Sequence, residues 1–548
     1  MIGTSFFDLI VIRTAITLLR SITPLSIIYT VSLPFLPATW LTRTVKLLSI
    51  YPACESAFYL FVYLPRRRWL QGAAQHPPLP PVTERRALFE RVLATIHDPE
   101  AYLTQWFLGA PVEEIKEENV REFVRWSFFN AAGRWSVEEE GDEVEAEVDE
   151  YIGMMERAMG RKFESGRGKA ECFRLTVDAV RMKHRPLLWY LIIGTIDFIT
   201  FIRLSLAGFS FRRRPAWASV FSTFPVRLET LLFASPSAVS PSARLAYWYR
   251  PHRDPTKRPI LYIHGIGIGM HPYVGMLATL AAAAPDVGII VLELDAVCSR
   301  ICASMPPREE TTAAIHAILA HHGYLSNNGS EDGPGFVLCA NSYGTILATH
   351  LLRAPAVAPH IASAILIDPV SLLLHLPAVA YNFLRRVPRR ANEHMLHYFA
   401  STDPSVAHTL SRRFFWTENV LWQEDLPCNP VADGGPENNG NSSYSSGGSG
   451  GTGRTAVVYL GERDLIVDTW SVFRYLTAAP ASAEDPAGPA AYTHSSSADE
   501  YTRTYPHGGT LKVVWCAGVD HAQVFDEKRW YSRIVADLVA ASAGPQEY

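Results

Sequence analysis

The chain has 548 residues, 48% of them hydrophobic, with 50 basic against 54 acidic side chains and a net charge of −4. It can bury a large core and hold more than one domain, and its scattered basic residues leave no electrostatic footprint for nucleic acid. Seven cysteines, odd in number and widely spaced, exclude a secreted disulfide framework. Cys298 and Cys302 have no histidine or further cysteine nearby, so neither a metal nor a cofactor is expected.

The N-terminus is apolar. From Ser21 to Thr42 no residue is charged, a length sufficient as helix to cross roughly 30 Å of hydrocarbon, although Pro24, Pro34 and Pro37 complicate a straight span. Leu47 to Pro65 is a second apolar stretch, interrupted by Glu55 and closed by Arg66-Arg67-Arg68. Asp8, Arg13 and Arg20 lie inside the opening segment with no clean cleavage site after it, which fits a signal peptide poorly. Residues 1–70 are therefore expected to anchor the chain to a membrane. Arg43, Lys46 and the arginine triplet favour a cytoplasmic position for the part of the chain that follows. The expected location is intracellular, with the endoplasmic reticulum and lipid droplets as candidates.

Residues 80–215 read as a helical region by periodicity and charge, for example Glu84 to Ile96 and Glu114 to Phe129. The acidic run Glu138 to Glu150 reads as a solvated face or loop. Pro186 to Ile202 is strongly apolar with one charge, Asp197, and precedes Arg212-Arg213-Arg214; at seventeen residues it is expected to be interfacial or core. No motif in this half points to chemistry.

Residues 216–548 read differently. Strands are expected at Ala243–Tyr249, Pro259–Ile263, Val287–Leu292, Phe336–Cys339, Ala364–Ile367, Ala456–Leu460 and Leu511–Cys516. They alternate with helices such as Thr311 to His322 and Lys528 to Ala541, the pattern of a mostly parallel, doubly wound α/β sheet. After Ile260-Leu261-Tyr262-Ile263 comes His264-Gly265-Ile266-Gly267-Ile268-Gly269. These glycines let backbone amides turn toward a developing oxyanion. A dinucleotide loop would need a glycine at position 270, where Met270 stands.

Ser342 lies in Ala340-Asn341-Ser342-Tyr343-Gly344, between the apolar run Phe336-Val337-Leu338-Cys339 and a helix-like stretch. That is the build of a nucleophile elbow, where a sharp turn pushes the hydroxyl into the open. A second formal match at Ser449 sits in low-complexity sequence without strand or helix. Residues 368–430 form an apolar, aromatic insertion expected to act as a cap over an acyl pocket. Residues 432–453 and 478–497 are Gly-, Ser-, Ala- and Pro-rich and expected to be flexible loops. Asp464 follows the strand at 456–460, with Glu462, Asp468 and the earlier Asp368 as competitors for the acid. His521 follows the last strand.

The order Ser342, Asp464, His521 resembles that of the α/β-hydrolase superfamily over roughly residues 225–545, with Ala340 in place of the elbow's first glycine. A looser likeness in layout is to uncharacterised fungal membrane-associated members. The resemblance implies a serine hydrolase or acyl transferase. Ser342 would be the nucleophile, His521 the base and Asp464 the acid, with the Tyr343 and Ile266 amides as oxyanion hole. The expected activity is cleavage of an ester or thioester of a lipophilic acid at a membrane. The rivals are acyl transfer on the same fold and a catalytically silent scaffold.

Overall fold

A computed structural model describes residues 3–35, 37, 42–130, 142–216, 221–233, 238–325, 335–429, 454–478, 493–494, 499–505 and 508–543. The low-complexity run 432–453, with Ser449, lies outside them, as do most of 478–497 and residues 138–141 of the acidic run.

Ten strands form one sheet: β1 (Ser210–Arg212), β2 (Ala246–Arg250), β3 (Ile260–Ile263), β4 (Ile289–Glu293), β5 (Phe336–Asn341), β6 (Ile361–Ile367), β7 (Thr455–Gly461), β8 (Thr493–His494), β9 (Glu500–Thr504) and β10 (Thr510–Cys516). Their order is β1-β2-β4-β3-β5-β6-β7-β10-β9-β8. From β4 across to β10 every pairing is parallel. At the edges β1, β2 and the β8–β9 pair run antiparallel to their neighbours. The edge strands β1, β8 and β9 were not expected from sequence. β1 and β8 are too short to show a period, and Glu500–Thr504 has no apolar run.

The central strands read as continuous apolar runs because both faces are covered. Alternate residues still part to opposite sides. Leu261, Ile263, Leu338 and Ala340 join one core, whereas Ile260, Tyr262, Val337 and Cys339 join the other. The first core also contains Phe89, Trp106, Phe123 and Tyr151, so the helices Val82–Thr95, Pro99–Trp106, Glu117–Phe129 and Asp142–Met159 pack into the same interior as the sheet. The acidic run departs from expectation here. Its second half is the start of the 18-residue helix Asp142–Met159, with Val148, Tyr151 and Ile152 buried and Glu147 paired to Arg85.

Three helical stretches, Phe6–Phe35, Arg43–Trp69 and Leu187–Leu206, are long and apolar enough to cross a membrane by length and composition. The first starts with a capping box between Ser5 and Asp8 and runs through Pro24 without ending. It packs along Ile50–Ala57. Glu55 points between them, accepting hydrogen bonds from Thr23 Oγ1 at 2.6 Å and the Leu187 amide at 2.7 Å. The third helix has 20 residues, longer than the seventeen expected, because Arg203 sits in its last turn without breaking it. Its Asp197 is buried in an ion pair with Arg300. Helix Leu187–Leu206 thus contributes Leu204 to the second core while Leu191 and Ile199 stay exposed.

Candidate active site

The carboxyl ends of β3, β5, β6, β7 and β10 are neighbours in the sheet, so the segments after them meet along one edge. Ser342 follows β5 directly, and the helix Gly344–Leu352 begins two residues later. Its φ of 50° is in the left-handed region, which a serine occupies only when its surroundings hold it there. Two restraints do so. The Ser342 amide donates to the Ile367 carbonyl at 2.9 Å, and the Asn341 side-chain amide donates to the same oxygen at 3.1 Å. Gly344 has no alternative, since a Cβ there would lie 2.3 Å from the Ile263 carbonyl oxygen. Gly265 is equally constrained, because its Cβ would meet Ser342 Cβ at 2.8 Å.

Ser342 Oγ lies 2.7 Å from His521 Nε2, and His521 Nδ1 lies 2.7 Å from Asp464 Oδ2. With Nδ1–H donating to the carboxylate, Nε2 is left to accept the serine proton. The other oxygen of Asp464 accepts the amides of Ile466 at 2.8 Å and Val467 at 2.9 Å, which fixes its orientation. Burial opposes a charged His521, but the carboxylates, Asp464 foremost, outweigh it and raise its pKa to about 9.

Asp368 is fully buried beside this pair but engaged elsewhere. One oxygen accepts the Gly461 amide at 3.1 Å, the other the Ala522 amide at 2.7 Å, so it ties the ends of β6, β7 and β10 together. Burial raises its pKa to about 7, with His521 pulling the other way. Asp520 plays a similar part that the sequence did not suggest. It accepts the Leu465 amide at 2.9 Å, the His521 amide at 2.7 Å and Asn392 Nδ2 at 2.6 Å. Its adjacency to His521 was the one available signal.

In the glycine loop, the Gly265 amide donates to Tyr273 Oη at 3.2 Å and the Gly267 amide to the Val297 carbonyl at 3.0 Å. Ile266, between them, lines the cavity at Ser342 together with Tyr343. That cavity, about 70 Å³, is almost wholly apolar. Its walls include Phe383, Leu410 and Phe414 from the 368–430 insertion and Trp106 and Trp126 from the N-terminal half. Those tryptophans were invisible as site residues, since helical spacing marks them only as core. Trp126 Nε1 is held by Thr176 Oγ1 at 3.0 Å, and Trp416 of the insertion donates to the Ser127 carbonyl at 2.8 Å, closing the wall across both halves.

Contrary to expectation, Cys298 does have a histidine beside it. Its Sγ lies 3.7 Å from His264 Nε2, with Glu293 in the same cluster, because β3 and β4 bring together residues distant in sequence. These groups are already engaged: His264 accepts the Leu294 amide and bonds the Gly265 carbonyl, and Glu293 pairs with Arg227.

A serine on a sharp strand-to-helix turn, followed in the chain by acid and then histidine at one sheet edge, decides the architecture. The chain has the α/β-hydrolase fold. No protein-family model and no curated protein matches its sequence. Among solved structures it is similar to a bacterial membrane phospholipase A (13% identity, 65% of this chain and 94% of that one, TM-score 0.35). It is also similar to a putative lipase from Acinetobacter baumannii AYE (11%, 63% and 96%, TM-score 0.35) and to an esterase from Rhodococcus sp. ECU1013 (17%, 55% and 96%, TM-score 0.32). At those scores the likenesses carry nothing further about this hydrolase-fold chain. The N-terminal helices supply Trp106 and Trp126 to its cavity.

Proposed function

We propose that this protein is a membrane-attached serine hydrolase that cleaves a carboxylic ester or thioester of a lipophilic acid. The observation that carries the reading is the hydrogen-bond chain Ser342–His521–Asp464 opening into an apolar cavity. Neutral His521 takes the Ser342 proton on Nε2 as Oγ attacks the substrate carbonyl, and Asp464 stabilises the imidazolium that forms. The oxyanion rests on the Tyr343 and Ile266 amides, both on the cavity wall. Collapse expels the alcohol or thiol, which takes the proton from His521. Water then repeats the cycle on the acyl-serine.

The apolar wall favours an acyl chain over a polar group. The three apolar helical stretches favour a substrate that partitions into membranes, with the hydrolase on the cytoplasmic side by the charges that flank the first two. The direct test is labelling of membranes by a fluorophosphonate probe. Wild type should label and Ser342→Ala should not. Equal labelling would place the activated serine elsewhere, and absence of labelling in a folded wild type would remove the hydrolase reading.

A further inference from the structure

A second cavity, of about 370 Å³, opens where Phe6–Phe35 meets Arg43–Trp69, the two arms of an N-terminal hairpin, and it shares no lining residue with the serine's cavity. Its walls are apolar, with Leu19, Ile27 and Tyr63, but Arg20, Arg67 and Lys183 also face it. Arg20 and Arg67 are exposed, Lys183 is half-buried, and among the described residues none of the three has an acidic partner. Lys183 Nζ rests 3.0 Å from His397 Nε2. Burial, then Arg20 and Arg185, lower its pKa, as expected where cations crowd without compensation. The nearby carboxylate of Glu55 is spent on Thr23, His184 and the Leu187 amide.

Three like charges around a concave apolar site cost energy unless an anion joins them. The apolar face of the first helix runs on both sides of Arg20, with exposed Phe7 and Ile10 before it and Leu25, Ile28 and Val31 after it, and the arginine triplet brings Arg67 to the same groove. Basic pockets between membrane helices suit lipid phosphates.

We propose that this groove binds the phosphate of an anionic phospholipid, whose acyl chains lie along the exposed face of the hairpin. The inference rests on the membrane-attachment reading above. The test is flotation of the full chain with vesicles of phosphatidylcholine alone, or of phosphatidylcholine and phosphatidate at roughly 4:1. Wild type should float with both, and better with phosphatidate. Arg20→Gln, Arg67→Gln and Lys183→Gln should each reduce that gain by about fivefold. Arg20→Lys should keep it, as should Arg253→Gln on the distant loop after β2. Unchanged melting temperature and fluorophosphonate labelling certify the fold of each variant. A phosphatidate gain that survives in the Arg20→Gln/Arg67→Gln double variant overturns the site while leaving membrane attachment standing. Loss of the gain on adding inorganic phosphate overturns it in favour of a soluble anion. A wild type that floats with neither vesicle removes both readings.

Discussion

The central sheet and the N-terminal hairpin are built from the same kinds of residue turned opposite ways. In β4 Ile289, Ile290, Val291 and Leu292 are 0% exposed, whereas Phe7, Leu18 and Ile28 of the first helix are 73%, 65% and 65% exposed. The hairpin faces its polar groups inward: Thr23 to Glu55, Tyr29 to Ser49 and Thr30 to Ser56. Polar inside and apolar outside is the arrangement that hydrocarbon rewards and water penalises. Apolar content alone therefore does not reveal which solvent a segment serves. What decides is whether its neighbours satisfy its apolar face or its polar one.

The largest effect that sharpens this contrast concerns polar groups buried in the sheet half. Asp464→Asn leaves the geometry but abolishes the charge that orients His521, so ester turnover should fall by about 10⁴-fold with little change in melting temperature. Asp368→Asn should fall far less, because its oxygens hold backbone amides rather than the imidazole. The reverse ranking would move the acid to the end of β6.

The helix Leu187–Leu206 stands between the two regimes. Asp197→Ala leaves Arg300 buried without its main partner and should cost about 3–5 kcal/mol in denaturant unfolding. Ile199→Ser on the exposed face of the same helix should cost less than about 0.5 kcal/mol. Equal costs would mean that the helix has no inner and outer side.

The smallest effect is on pH. In the proposed mechanism His521 takes the serine proton only when neutral, and its pKa is raised to about 9, so turnover should climb as pH rises toward that value and level off above it. Asp368 is one of the negative neighbours that hold His521 up. Asp368→Asn removes that charge, lowers the pKa of His521 and should move the midpoint of the profile down by about one pH unit. An absent shift in a pH–rate profile would show that Asp368 carries no charge at the midpoint.

Much of the sheet was legible locally. Apolar runs such as Phe336–Cys339 and Leu511–Cys516 announce strands buried on both faces, and glycines at 265 and 344 mark where backbone must pass close by. The chain order of Ser342, Asp464 and His521 likewise stood in the sequence. Edge strands left no trace, since three residues at Ser210–Arg212 cannot display a period. Tertiary structure alone decided that His521 faces Asp464 while Asp368 and Asp520 grip the backbone beside it, because that choice turns on ångström differences between neighbouring strand ends. It alone brought Trp106 and Trp126 to the serine, from helices whose pattern marks core but not what the core encloses. Local periodicity encodes which face of an element is apolar; the partner that face meets depends on how distant segments pack, and no short stretch of sequence contains that.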